Sequence, residues 1–243
     1  MCPRTRVKQA IGTNGKKGKA VVGVREKGKA RRKRQIIQAA KHLLATGGID
    51  ALSTRRLAEE AELSVHTLYA LVGSKEQILE AVMADNHERV LEDLLKIDEH
   101  HAIEKLFAIV ESTYAIIAED SAAQKPIMRM LMTRYYEGNL NPIPWWQMAQ
   151  EKGWIESAIA EATVQGQLRG MFPPAQIADM LMKIYLSNLR DYLFDQTTLA
   201  NFRNATHFEF WFCLSGLAVE TQRDAFLAKA MDAASLLQQT APE

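Results

Sequence analysis

ALSTRRLAEEAELSVHTLYALVGSKEQIL, residues Ala51–Leu79, carries three helix-start signals in close succession. Ser53 precedes a run of helix formers, and its hydroxyl is suited to accept from the free N–H groups of the turn that follows. Ser64 has the same relation to Val65–Val72, and Ser74 to the segment entered through Lys75. Leu52, Leu57, Ala58, Ala61, Leu63, Leu68, Leu71 and Val72 fall on faces that can share one small core. The stretch therefore reads as two short helices, Thr54–Ala61 and Val65–Val72, joined by a tight turn at Glu62 and followed at once by another helix. This is a helix-turn-helix.

Working outward towards the amino terminus, Ile36, Ala40, Leu43 and Leu44 form the apolar stripe of a helix over Arg31–Thr46, with Gly47–Gly48 as its stop. Its first turn is Arg31-Arg32-Lys33-Arg34, which opposes the helix dipole and makes sense only where anions approach. Residues 1–30 are rich in Lys, Arg and Gly, with a small apolar patch at Val21–Val22. Too little can be buried there to offset ordering entropy, so a disordered basic arm is expected. It reads either as a solubilising tail or as an arm that tracks phosphates or a minor groove.

The formal net charge of +1 conceals a strong asymmetry. Residues 1–34 hold thirteen Lys/Arg against one acid, Glu26, while the remainder holds seventeen Lys/Arg against twenty-eight acids. A basic end on an acidic body suits a chain that presents that end to a polyanion.

Beyond Lys75 the helical pattern continues to about His100 through Ile78, Leu79, Val82, Met83, Val90 and Leu94. Further helices are expected near Ile103–Ala118, Ala122–Glu137, Trp145–Gly170 (with a possible break at Gly153), Pro174–Gln196, Ala205–Glu220 and Gln222–Gln239. No alternating strand pattern and no internal repeat is present. The expected fold class is all-α: a basic arm (1–30), a three-helix DNA-binding unit (31–77) and a larger helical body (78–243).

The set Ser53-Thr54-Arg55, Leu57-Ala58, Thr67-Leu68-Tyr69 and Lys75, in this order and spacing, resembles the DNA-reading segment of the TetR-type transcriptional repressors. The resemblance covers Arg34 to about Val90. Two positions depart from the family pattern: Glu62 stands where Gly is usual, and Val72 where an aromatic residue is common. Should that turn need positive φ, Glu62 carries strain.

What the resemblance implies is double-stranded operator DNA as partner. Ser53 caps the first helix of the motif, and Thr54, Tyr69 and Lys75 would hold the phosphate backbone. Arg55 has the planar fork that matches the acceptors of guanine. Val65, His66 and Thr67 occupy the first turn of the reading helix, where a thymine methyl or a base edge is within reach. A single motif per chain needs a second copy for a symmetric operator. The family's dimer bundle maps onto 174–196 and 205–220; the latter carries Phe208, Phe210, Trp211, Phe212, Leu214 and Leu217 over more than one face. A small-molecule effector, lipophilic or aromatic, is also implied. Met128, Met132, Tyr135, Trp145, Trp146, Trp154, Met182 and Tyr185 are candidates for its walls, with ordinary core as the alternative.

Catalysis has little support. His42, His66, His87, His100, His101 and His207 form no metal-ligand motif, and there is no Gly-rich phosphate loop or nucleophile elbow. No metal, cofactor or enzymatic role is expected. Only Cys2 and Cys213 occur, so no disulfide framework is implied, and Cys213 reads as packing. No apolar run reaches membrane-spanning length, and a cytoplasmic location is expected. Two readings from other classes stand beside the regulator: a sequence-independent nucleic-acid binder driven by its basic tail, and a helical protein-interaction module, hinted at by Glu59, Glu60 and Glu62.

Overall fold

The computed structural model describes residues 15–98, 101–136 and 145–239. Among these, ten helices follow one another: α1 (Gly15–Ala51), α2 (Thr54–Glu60), α3 (Val65–Val72), α4 (Lys75–Leu95), α5 (Ala102–Glu119), α6 (Ser121–Tyr136), α7 (Trp145–Val164), α8 (Pro174–Leu193), α9 (Leu199–Leu217) and α10 (Glu220–Gln239). The pairing of Leu168 with Ala218 is a single β-bridge, and no strand is present among the described residues.

Two apolar cores divide the chain. The amino-terminal one gathers Ile36, Ala40 and Leu44 of α1, Leu57 and Ala58 of α2, Leu68 of α3, and Ile78, Leu79 and Val82 of α4. The larger one is built from α5, α7, α8, α9 and α10, around Leu106, Val110, Ile117, Ile159, Leu181, Phe202, Phe210 and Leu214. Helix α4 joins the two, since its first turns pack in the smaller core and Val90 in the larger. The expected boundary at 77/78 therefore lies at the start of a helix that both units share. Helix α6 also spans the division, with Ile127 in the smaller core and Met132 in the larger.

Several helix limits differ from expectation. Helix α1 starts at Gly15 rather than Arg31, so residues 15–30 of the expected disordered arm are helical. Lys, Arg and Ala have good helix propensity even where no apolar stripe marks the segment. Residues 1–14 of the arm lie outside the described residues. The helix breaks where expected, at Gly47 (φ −144°, ψ 15°) and Gly48 (φ 62°, ψ −161°). Helix α4 ends at Leu95, short of His100.

Helix α7 runs unbroken through Gly153, a position that costs only about 1 kcal/mol relative to Ala. It stops at Val164, well before Gly170, because Gly166 (φ 71°) closes a Schellman cap: Gln167 N–H donates to Ala162 O at 2.9 Å and Gly166 N–H to Thr163 O at 3.1 Å. Helix α9 begins at Leu199, one and a half turns ahead of Ala205, under the Thr198 cap, whose Oγ1 accepts from Asn201 N–H at 3.1 Å.

Candidate nucleic-acid interface

All three expected serine caps are present. Ser53 Oγ accepts from Arg56 N–H at 3.3 Å, and Ser64 Oγ from Thr67 N–H at 3.1 Å. Ser74 forms a full capping box: its Oγ accepts from Gln77 N–H at 3.4 Å, while Gln77 Oε1 accepts from Ser74 N–H at 2.8 Å. The preceding Gly73 has φ 83°, and a Cβ there would stand 1.9 Å from Gln77 Oε1. At that φ any L side chain would be strained, and it would also push Gln77 out of the capping box.

The turn between α2 and α3 is a second Schellman cap. Leu63 N–H donates to Ala58 O at 2.8 Å and Glu62 N–H to Glu59 O at 3.1 Å. Glu62 occupies its left-handed position with φ 53°, so the strain foreseen for this departure from glycine is present. The turn keeps its geometry, and the side chain is left in solvent.

These caps leave one surface uncovered. Leu68 faces the core with no exposure, whereas Val65 is 40% and Tyr69 52% exposed, with His66 exposed beside them. Thr67 is half-buried, its Oγ1 lying 2.8 Å from Ser64 Oγ. Arg55 extends from the first turn of α2, its side chain 87% exposed and its Nε donating to Glu59 Oε1 at 3.1 Å. Thr54 is half-buried and Ser53 exposed at the same end. Lys75 Nζ donates to Ile49 O at 2.8 Å, bracing the chain just after the Gly47–Gly48 break. An ammonium has two further donors, so this bond leaves capacity for a phosphate.

The expected effector residues divide differently. Met132, Met182 and Tyr185 are buried in the larger core, and Met128 and Trp154 pack against it half-buried. Tyr135, Trp145 and Trp146 lie outside the residues whose side chains are described. The Tyr185 hydroxyl is 2.9 Å from Thr113 Oγ1, and burial, reinforced by the Glu151 carboxylate, pushes its phenol well above the ordinary range. His87, also buried, stacks on Trp154 with centroids 4.9 Å apart; its Nε2 is 3.0 Å from Gln150 Oε1 and its Nδ1 3.6 Å from Glu151 Oε1. Sequence reasoning passed over this His87–Glu151–Trp154 cluster, because 64 positions separate the histidine from its carboxylate and no local pattern links them. Two open grooves elsewhere on the body, one along Lys125, Arg129 and Asp195 and one along Glu104, Phe107 and Trp211, contain none of the expected effector residues.

No group of His, Cys, Asp and Glu suited to a metal ion occurs among the described residues, and no helix there is long and apolar enough to cross a membrane. The Cys213 thiol is pushed up by burial and by Glu209, which suits packing better than redox chemistry.

Caps, core and the uncovered face of α3 define the amino-terminal unit as a helix-turn-helix reading head on an all-helical body. Residues 36–82 match the family of bacterial regulatory proteins known as the tetR family, so this amino-terminal unit is of the tetR type. No match is found among curated proteins. Solved structures that share the fold include SmeT, the repressor of the Stenotrophomonas maltophilia multidrug efflux pump SmeDEF (TM-score 0.63, 15% identity, 77% of this chain and 91% of that one). A putative TetR-family regulator from Rhodococcus sp. aligns with TM-score 0.59 and 20% identity over 73% of this chain and 95% of that one. The TetR-family protein CprB from S. coelicolor A3(2) aligns with TM-score 0.57 and 18% identity over 86% of this chain and all of that one.

Proposed function

We propose that this chain is a cytoplasmic, ligand-responsive repressor that binds a palindromic operator as a homodimer. The observation that carries the reading is the outer face of α3: Val65, His66 and Tyr69 stand in solvent on a short helix whose opposite face is locked into the core by Leu68. An exposed apolar and aromatic edge at a helix start, flanked by the extended Arg55, suits base edges and thymine methyls in a major groove. Thr54, Tyr69 and Lys75 would hold phosphates, and Arg55 would read a guanine. The second copy would pair through α8 and α9, where Met180 and Phe212 are exposed.

The effector reading rests on the apolar body around Met128, Met132, Trp154, Met182 and Tyr185, with Tyr135, Trp145 and Trp146 assigned from sequence alone. A lipophilic or aromatic ligand there would favour a subunit spacing unsuited to two major grooves. SmeT, described as the repressor of an efflux pump, supports repression as the direction of control.

Competition binding tests the reading: the purified protein is offered DNA from upstream of its own gene against excess random duplex. A discrete complex that survives competitor and is lost with Arg55→Ala supports the operator reading, at a cost of about 1–3 kcal/mol for that contact. Equal competition by any duplex would leave the sequence-independent reading in its place, and no duplex binding at physiological salt would favour the protein-interaction module.

A further inference from the structure

Helix α1 does not begin where the fold needs it. Among the side chains described, the first buried one is Ile36, yet the helix starts at Gly15, twenty-one residues ahead of it. At 1.5 Å per residue that stem is about 32 Å long. Ten Lys/Arg and the single acid Glu26 lie within residues 15–35, and residues 26–35 are exposed apart from the half-buried Gly28. Residues 26–35 take no part in the core, and the whole segment lies ahead of the residues that match the tetR family, 36–82.

The stem leaves the fold beside the reading head. Arg31, Arg34, Gln35, Gln38 and His42 line one side of a groove whose other side is Glu60, Ala61 and Glu62, the turn that leads into α3. A basic helix that leaves across this groove from Glu62, itself three residues ahead of Val65, is placed to meet the same duplex. Lys41 and the apolar stripe of α1 pack against α4 and α6, so the carboxyl-terminal half of the helix is fixed and gives the stem a direction.

We propose that the amino-terminal half of α1 is a duplex-binding stem that lies along phosphates flanking the operator half-site and adds affinity without adding sequence preference. The proposal rests on the operator-binding reading for its geometry, but not for its charge logic. A preformed helix pays less ordering entropy on binding than a disordered arm, and it fixes the spacing of its cations along one axis. Laid along a duplex, a stem of that length spans roughly nine base pairs at 3.4 Å per pair. Each phosphate it neutralises contributes about 0.9 to the slope of log K against log salt.

The test uses the full chain and two probes, a duplex from upstream of its gene and a random duplex of equal length, each several helical turns long. In one variant Arg31, Arg32, Lys33 and Arg34 are replaced by Gln; in the other, Ala30→Pro breaks the stem while keeping every charge. The Gln variant is expected to reduce the salt slope on both probes by roughly two to four, at about 0.9 per lost contact, while the ratio of specific to random affinity holds. Ala30→Pro is expected to shorten the protected footprint on each side while leaving its centre intact. An unchanged slope in the Gln variant overturns the proposal, whatever that variant does to RNA or vesicle binding. An unchanged footprint with Ala30→Pro overturns the rigid-stem geometry. If the wild-type chain shows no preference for the upstream duplex, the operator reading fails, and the slope on random duplex still decides the stem.

Discussion

Asn86 of α4 donates from Nδ2 to Gln124 Oε1 of α6 at 2.7 Å, with both side chains buried. Lys41 of α1, also buried, places its Nζ 2.7 Å from Asp85 Oδ2 and 3.4 Å from Asn86 Oδ1. Three helices therefore meet at one polar junction, on the seam between the reading head and the body. Buried polar groups in such a network are costly to orphan. Gln124→Ala removes the acceptor of Asn86 and should destabilise the chain by about 1–3 kcal/mol, read as a lower urea midpoint with unchanged slope. A variant as stable as wild type would show that water or a rearranged Lys41 replaces the amide.

The left-handed residue of the helix-turn-helix invites the opposite change. Glu62, at φ 53° in its Schellman cap, has an exposed side chain with no hydrogen bond or ion pair among the described residues to compensate. The left-handed conformation costs an L-residue about 1–2 kcal/mol, and glycine gives back about 0.4–1 kcal/mol through the unfolded chain. Glu62→Gly should therefore raise stability by about 0.5–1 kcal/mol, measured by denaturant titration. Asp195 forms a useful contrast. It holds the same position after α8 (φ 62°, with Gln196 N–H to Asp191 O at 2.8 Å), but its carboxylate accepts from Lys125 and Arg129, each at 2.5 Å. There, glycine would relieve strain and lose both contacts, so no gain is expected.

What was legible in the sequence follows from these distances. Ser53, Ser64 and Ser74 each act on a backbone N–H three residues away, and Gly47–Gly48 act on their own dihedrals, so caps, breaks and the three-helix head could be read directly. The early start of α1 was missed because Gly12, Gly15, Gly18, Gly23 and Gly28 argued for disorder, while the Lys, Arg and Ala between them carry helix propensity without an apolar stripe. The seam was not legible at all: Asn86 and Gln124 are 38 positions apart, and Lys41 lies 45 before Asn86. Each is an ordinary surface residue until the tertiary fold turns it inward. Lys75 shows a mixed case, since its place at a helix start was expected but its bond to Ile49 O depends on how α1 returns past α4.

Phe212 tests the assembly. It is 59% exposed on α9, with Phe208 beside it at a centroid separation of 6.0 Å, while Phe210 and Trp211 of the same helix are buried. An exposed Phe212 beside a half-buried Phe208, on a helix already committed to a core on its other side, suits a self-complementary face. Phe212→Lys should change the stability of an isolated subunit by no more than about 0.5 kcal/mol, yet shift the chain from dimer to monomer in sedimentation equilibrium. A variant that stays dimeric would place the interface away from α9.

Acid stability should depend on Glu111. Burial raises its carboxyl pKa, but Arg203 and His207 outweigh that and hold it below the ordinary value. Arg203 Nε donates to both oxygens, at 2.8 and 2.9 Å, and His207 Nε2 lies 2.6 Å from Oε1. A carboxyl whose folded pKa is depressed stabilises the fold fully above its unfolded pKa of about 4.3, and that contribution disappears as pH falls through the lower folded value. Because the side chain is 40% exposed, solvent screens the pair and the effect should stay below about 1 kcal/mol. Glu111→Gln should accordingly be less stable than wild type near neutral pH, and the two stability curves should converge below about pH 4. Urea midpoints collected across that range check the sign: a gap that widens on acidification would mean that the burial cost, not the Arg203 pair, governs this carboxylate.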